Sequence, residues 1–242
     1  MVLDAVIFDF GGTLVYHRKA TEDLIRLSHQ SMTNYLNSRG LSVELERVTE
    51  VSNGIYNAYA AFAEKSFIEL DSHKIYPAIL YQLGATKFDD EDLISGAVKS
   101  FHAPIVDDYC LYEDAKQVLE WLRKKKLKIG LVSNNHSTDF HSRLLQKHGI
   151  ENYFASTIVS STIGIRKPHK QIFLHCLTQL RTKPENTIFV GDEPIHDVEG
   201  AKNAGMRCIW IKRKDWPEVQ VQPDWTVRSL SEVKEIIATL IL

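Results

Sequence analysis

Residues 4–10 read DAVIFDF and run directly into Gly11-Gly12-Thr13. A short apolar run closed by a glycine pair is the pattern of a strand buried on both faces of a parallel sheet, followed by a tight turn. Similar runs recur at 128–133 (KIGLVS), 156–160 (STIVS), 187–191 (TIFVG) and 207–212 (RCIWIK). Helical patterns separate them. In 113–126, Ala115, Val118, Leu119 and Leu122 share one face, with acids opening the segment and lysines closing it. In 168–180, Pro168 suits the first helical position, and Ile172, Phe173, Cys176, Leu177 and Leu180 form the stripe. A third segment opens at Pro194 and stops at Gly205. Alternation of this kind predicts an α/β fold, a doubly wound parallel sheet with helices on both faces.

From residue 17 to 105 the strand signal vanishes. Thr21, followed by Glu22 and Asp23, reads as an N-cap, with Leu24, Ile25, Met32 and Leu36 behind it and Gly40 at the end. Val48, Val51, Ile55, Tyr59 and Phe62 mark a second helix. Ile75, Ile79, Leu80 and Leu83 mark a third, and Leu93, Ile94, Ala97, Val98 and Phe101 a fourth. The expected organisation is a core of residues 1–16 and 106–242 with an all-helical cap, residues 17–105, inserted after the first strand.

Composition narrows the partners. The 242 residues are 44% hydrophobic and 25% charged, ordinary values for a chain with a real core. Lysine and arginine number 29 against 31 acidic residues, so no charge field points to nucleic acid or an anionic membrane. No apolar run approaches the roughly 18 residues of a membrane-spanning helix. MVLDAVIFDF lacks the basic start and cleavage site of a signal peptide, so the expected location is the cytoplasm. Cys110, Cys176 and Cys208 are odd in number and far apart, which reads as small side chains in a reducing compartment. Lys124, Lys125 and Lys126 read as a solvated helix end, and the four tryptophans as packing residues.

In a doubly wound sheet, ligands bind beyond the carboxyl ends of the strands. The first strand delivers Asp9, Gly11, Gly12 and Thr13 there; the second delivers Ser133, Asn134 and Asn135. Gly164 to Pro168 follows the third, and the fourth delivers Gly191, Asp192 and Glu193, with Asp197 close behind. An aspartate can attack phosphorus and form an acyl-phosphate, which splits one hard displacement into two easier ones. Magnesium favours oxygen ligands and is commonly held by one or two carboxylates plus a substrate phosphate. Asp9 and Asp192 suit that ion, Lys167 neutralises remaining charge, and Ser133 with the amides after it suits a phosphate oxygen at a helix N-terminus. Asp197 suits either metal-bound water or the orientation of Lys167.

These stretches resemble a known family. FDFGGTLV is similar to the nucleophile loop of the haloacid dehalogenase-like (HAD) hydrolases, and LVSNN to their phosphate-binding strand end. Gly164–Pro168 is similar to their lysine motif, and GDEPIHDVEGAKNAGM to their acidic metal motif. The four occur in the family's order across residues 4 to 206, and the helical insertion falls where one large subclass carries a four-helix cap. The resemblance implies a Rossmann-like core and a Mg2+-dependent phosphatase acting on a small phosphorylated metabolite through an aspartyl-phosphate. By matching positions it implies Asp9 and Lys167 as catalytic residues. It implies Asp9, Asp192, Asp197 and the Gly11 carbonyl as metal ligands, and Ser133, Asn134, Gly12 and Thr13 as substrate contacts.

One position departs from the pattern. Family phosphatases carry a second aspartate two residues after the nucleophile, as general acid and base; here that residue is Gly11. Such catalysis is typically worth about 10²–10⁴-fold. His17, His136 and His196 are the candidate substitutes, with His17 favoured because it sits where the chain leaves the core for the cap. Taken one at a time, these residues have plainer readings: Asp9 as a turn cap, Ser133 and Asn134 as helix caps, Lys167 as a surface lysine. Asp192 and Asp197 also read as charges on a helix dipole, Glu193 as a metal contact or a cap, and a histidine as a surface residue.

Two other functions compete. A hydrolytic 2-haloacid dehalogenase attacks carbon with the same aspartate and needs no metal; Gly191-Asp192 argues against it. A non-enzymatic module would bind a phosphorylated ligand or partner protein, its acid lost at Gly11. Tyr56, Tyr59, Lys65 and His73 are cap residues available to face the site. The specific substrate and the oligomeric state are not legible.

Overall fold

The structure, a computed structural model, describes residues 2–87, 90–216 and 220–241. The chain opens with β1 (Ala5–Phe8) and β2 (Val15–His17), and then enters four helices, α1 (Thr21–Ser38), α2 (Leu45–Ser66), α3 (Ser72–Gln82) and α4 (Glu91–Asp108). It returns through β3 (Tyr109–Leu111), α5 (Ala115–Lys124), β4 (Lys128–Ser133), α6 (Thr138–His148) and β5 (Ser156–Val159). The remainder is α7 (Ser160–Ile163), α8 (Lys170–Leu180), β6 (Thr187–Gly191), α9 (Gly200–Asn203), β7 (Arg207–Ile211), β8 (Trp225–Val227) and α10 (Leu230–Leu240).

Six strands form one sheet in the order β5-β4-β1-β6-β7-β8, with every pairing parallel. Side chains alternate across a strand, and β1 shows the consequence. Ala5 and Ile7 enter one core with Phe173, Cys176 and Leu177 of α8. Val6 and Phe8 enter the other with Leu119 of α5, Leu144 of α6 and Val233 of α10. Burial on both faces is why DAVIFDF has no polar alternation, and each such large side chain contributes about 1.5–3 kcal/mol. β1 lies between β4 and β6, with Phe8 level with Leu131 and with Val190. The strand order runs outward in both directions from β1, so its carboxyl end is the switch point where such sheets open a crevice.

The four inserted helices hold their own apolar cluster, built on Met32, Leu36, Val48, Ile79, Leu80 and Ala97. Both connections to the sheet pass through an antiparallel ribbon of β2 and β3 that pairs His17 with Tyr109. Asp108, at the end of α4, ties that crossing: its Oδ2 accepts from the amides of Arg18 at 2.8 Å and Lys19 at 3.0 Å, and its Oδ1 from Lys19 Nζ at 2.9 Å. No described helix is long and apolar enough to cross a membrane. The three cysteines are free thiols.

Three local expectations are corrected. Ala20, not Thr21, caps α1, and it makes no side-chain capping bond; Thr21 is already helical. The helix expected at Pro168 begins at Lys170, capped by His169. The reason is tertiary: Asn134 holds the backbone of Lys167 at both its N–H and its carbonyl, at 2.8 and 3.0 Å. The helix after Ser133 begins only at Thr138, with Ser137 as its cap, so the amides that directly follow Ser133 belong to a loop rather than to a helix N-terminus.

Candidate active site

Three strand ends and one loop meet at the switch point. Asp9 follows β1, Ser133 ends β4, and Asp192 follows β6, while Lys167 comes from the loop after α7. Asp9, Ser133, Lys167, Asp192 and Asp197 are all buried. They line a cavity of about 520 Å³ together with Gly11, Gly12 and Asn134.

Lys167 organises the charges. Its Nζ lies 2.6 Å from Asp9 Oδ1 and 2.6 Å from Asp197 Oδ1. Burial alone would push the ammonium toward deprotonation, but the two carboxylates outweigh it and hold its pKa above the ordinary value. Asp197 Oδ2 accepts from the amides of Asp192 and Glu193, each at 2.9 Å. Both oxygens of Asp197 therefore have protein donors, and it joins the lysine to the backbone of the acidic loop.

Burial raises Asp9 to about 6, with Lys167 opposing the rise and Asp197 adding to it. Asp192 is pushed up to about 8 by burial and then by the charges of Asp9 and Asp197. Oxygen atoms of Asp9, Asp192 and Asp197 all lie within 4.8 Å of one another. Three hard oxygen donors whose ionised forms repel one another fit a divalent cation, which would remove that repulsion. Trp210 Nε1 donates to the Asp192 carbonyl at 2.9 Å and fixes the loop.

Gly12 has φ +78°, and a Cβ there would come within 2.7 Å of Asp192 Cγ. Only glycine gives both this turn and this approach of backbone to carboxylate.

Two expected substrate contacts are otherwise engaged. The Asn134 side-chain amide is spent on the Lys167 backbone. Thr13 is fully buried, and its Oγ1 faces Asp192 Oδ1 at 3.4 Å. Glu193 bonds His196 Nδ1.

The three histidines differ. His17 lines the cavity, and burial lowers its pKa, with Asp108 opposing. His136 faces an adjoining cavity of about 280 Å³ with Tyr56 and Tyr59, and burial lowers it too. His196 lines the main cavity; burial lowers its pKa, but Glu193 prevails and leaves it raised. Lys65 and His73 are exposed, and His73 instead bonds Asp71 at the start of α3.

Tyr109 is a site residue that no motif in the sequence marks. It lines the cavity, packs against His17 with ring centroids 3.9 Å apart and planes tilted by 45°, and burial beside Asp9 and Asp192 holds its hydroxyl pKa above the ordinary value. His17 stands where the chain leaves for the helices, and Tyr109 stands opposite it on the strand by which the chain returns.

Comparison with known proteins bears on this arrangement. A family model described as haloacid dehalogenase-like hydrolase matches residues 3–205. The chain is 25% identical to a glyceraldehyde 3-phosphate phosphatase of Methanopyrus kandleri over 99% of both chains. It is 34% identical to a phosphoserine phosphatase of Thermus thermophilus over 52% of this chain and 50% of that one. Among solved structures, a 2-haloacid dehalogenase from Pseudomonas syringae pv. Tomato superposes with TM-score 0.73 at 23% identity, covering 99% of this chain and 100% of the other.

Proposed function

The chain belongs to the haloacid dehalogenase-like hydrolases, and from that premise we propose that it is a Mg2+-dependent phosphatase of a small phosphorylated metabolite in the cytoplasm. The observation that carries the reading is the bridge of Lys167 between Asp9 and Asp197, with Asp192 beside them. A nucleophile, a fixed cation and a set of oxygen donors in one buried cavity are what phosphoryl transfer to a carboxylate requires.

In this reading Asp9 attacks phosphorus, the ester oxygen departs, and water then hydrolyses the aspartyl-phosphate. Asp9, Asp192 and the Gly11 carbonyl would hold magnesium, with Asp197 reaching it through bound water, and the ion would supply charge neutralisation at the phosphoryl oxygens. Lys167 stabilises charge on those oxygens and keeps Asp9 ionised. Asp197 acts on Lys167 and on the loop of Asp192, since both its oxygens are bonded there. Ser133 and the Gly12 backbone contact phosphate. Thr13 orients Asp192, and Asn134 orients the loop of Lys167. Residues 17–105 act as a lid over a core of 1–16 and 106–242, and a lid of this kind excludes water until hydrolysis.

Phosphatase names among full-length relatives support the choice of phosphorus over carbon as the electrophile. Gly11 favours one second reading, a module that binds a phosphorylated ligand without turnover. Assay on an aryl phosphate separates them. Turnover with magnesium that is lost in EDTA and in Asp9→Asn is expected. Metal-independent release of halide from a 2-haloacid would move the reading to carbon chemistry. Tight Mg2+-dependent binding of a phosphate mimic without turnover of any ester would move it to the module.

A further inference from the structure

Gly11 leaves the β1 loop with no side chain to protonate a leaving group, and the surrounding space shows what stands in its place. Among the described residues, and leaving aside its chain neighbours, a Cβ built on Gly11 would meet one atom within 4 Å, Tyr109 Oη, at 3.7 Å. A phenol hydroxyl thus borders the volume that a side chain at position 11 would enter. It comes from a distant part of the chain, the first residue of β3, carried there by the pairing of Tyr109 with His17.

Its ring is held on two sides, by His17 at 3.9 Å and by Phe140 at 6.0 Å between centroids. The side chain lines the same cavity as Asp9 and Asp192. Among the described residues no hydrogen bond engages its hydroxyl.

We propose that Tyr109 is the proton donor to the leaving group, the role that the β1 loop cannot fill. The inference rests on the phosphatase reading above. In the first step the Asp9–phosphorus bond forms and the phosphorus–ester oxygen bond breaks. The bonding pair goes to the departing oxygen, which takes the Tyr109 hydroxyl proton and leaves as the alcohol. In the second step water attacks phosphorus and gives a proton back to the Tyr109 oxygen, and the Asp9 carboxylate is released with inorganic phosphate. His17 is a positioning residue in this scheme, its ring fixing the plane of the phenol.

The test follows leaving-group chemistry. Tyr109→Phe keeps the ring and its packing and removes only the hydroxyl. Wild type and variant are compared on aryl phosphates of graded phenol acidity and on one alkyl phosphate. A proton donor to the leaving group matters little for an acidic phenol and greatly for an alcohol, and kcat/KM reports only the steps up to phosphorylation of Asp9, so kcat/KM should fall less than about 3-fold on the most acidic phenol and about 10²-fold or more on the alkyl ester. Gly11→Asp in the Tyr109→Phe background should then restore turnover of the alkyl ester by at least about 10-fold. The position tolerates it, because Gly11 is not among the residues with positive φ.

A loss of equal size across the series, or no loss, would overturn the role of Tyr109 while leaving the phosphatase reading intact. Absence of wild-type turnover on every ester would overturn both.

Discussion

Replacing Asp192 with asparagine should stabilise the metal-free protein while destroying its activity. In the absence of a cation, Asp192 shares a buried site with Asp9 and Asp197, all with oxygens within 4.8 Å. At an effective dielectric constant near 20, two unit charges at that separation repel by about 3.5 kcal/mol. Linkage leads to a similar figure. A carboxyl raised from 3.8 to about 8 costs the native state about 4 kcal/mol at pH 7. Lys167 offsets part of this, so the expected gain for Asp192→Asn is about 2–4 kcal/mol.

The sign is fixed by the direction of the shift. The folded protein keeps a proton that the unfolded chain loses, so wild-type stability falls as pH rises from about 4 to about 8. Asparagine carries no charge and removes that slope, so the advantage of the variant should be near zero at pH 4 and full at pH 8. Urea unfolding in EDTA across this range measures it, with equal m values showing that the unfolded states match. Saturating magnesium should reverse the order by stabilising the wild type through mass action. A variant no more stable than wild type at pH 8 in EDTA would refute the picture of a strained carboxylate cluster.

Other expectations follow from single contacts. Lys167→Met leaves Asp9 and Asp197 buried without their cation and should cost about 3–5 kcal/mol in the same urea assay, a loss the account cannot do without. Gly130→Ala drives a methyl to 2.7 Å from Cys176 Sγ and 3.1 Å from Ile7 Cγ1. It should destabilise by about 1–3 kcal/mol while leaving kcat per folded molecule unchanged. Asp108→Asn should speed hydrogen exchange at the Arg18 and Lys19 amides by about 10-fold or more. Burial raises the Asp108 carboxyl, but bonds from Lys19 and Arg18 prevail and bring it down to about 2. That tie is therefore complete above about pH 4 and is lost as pH falls through about 2, which exchange measured at pH 3 and pH 5 would reveal.

The doubly wound sheet was legible because β1, β4, β6 and β7 are buried on both faces and carry unbroken apolar runs. β2, β3 and β8, three residues each, are too short to show a period, and their pairing is a tertiary fact. The amphipathic pattern of α10 was available in LSEVKEIIATL and was passed over. Within the site, Asp9, Lys167, Asp192 and Asp197 were legible because each follows a strand or a recognisable turn, and the structure brings them together. Spacing could not reveal that Asn134 is occupied by the Lys167 backbone, because that contact joins residues 33 apart. Tyr109 was invisible for the same reason: its approach to Gly11 exists only once β3 pairs with β2.

The central claim is that Asp9 becomes phosphorylated, and trapping that species tests it most directly. Acid quenching of a reaction with 32P-labelled substrate and magnesium, followed by peptide mapping, should find label on the peptide that carries Asp9, in an acyl linkage that hydroxylamine releases. Turnover with no label on that peptide, or with stable label at another residue, would contradict the account.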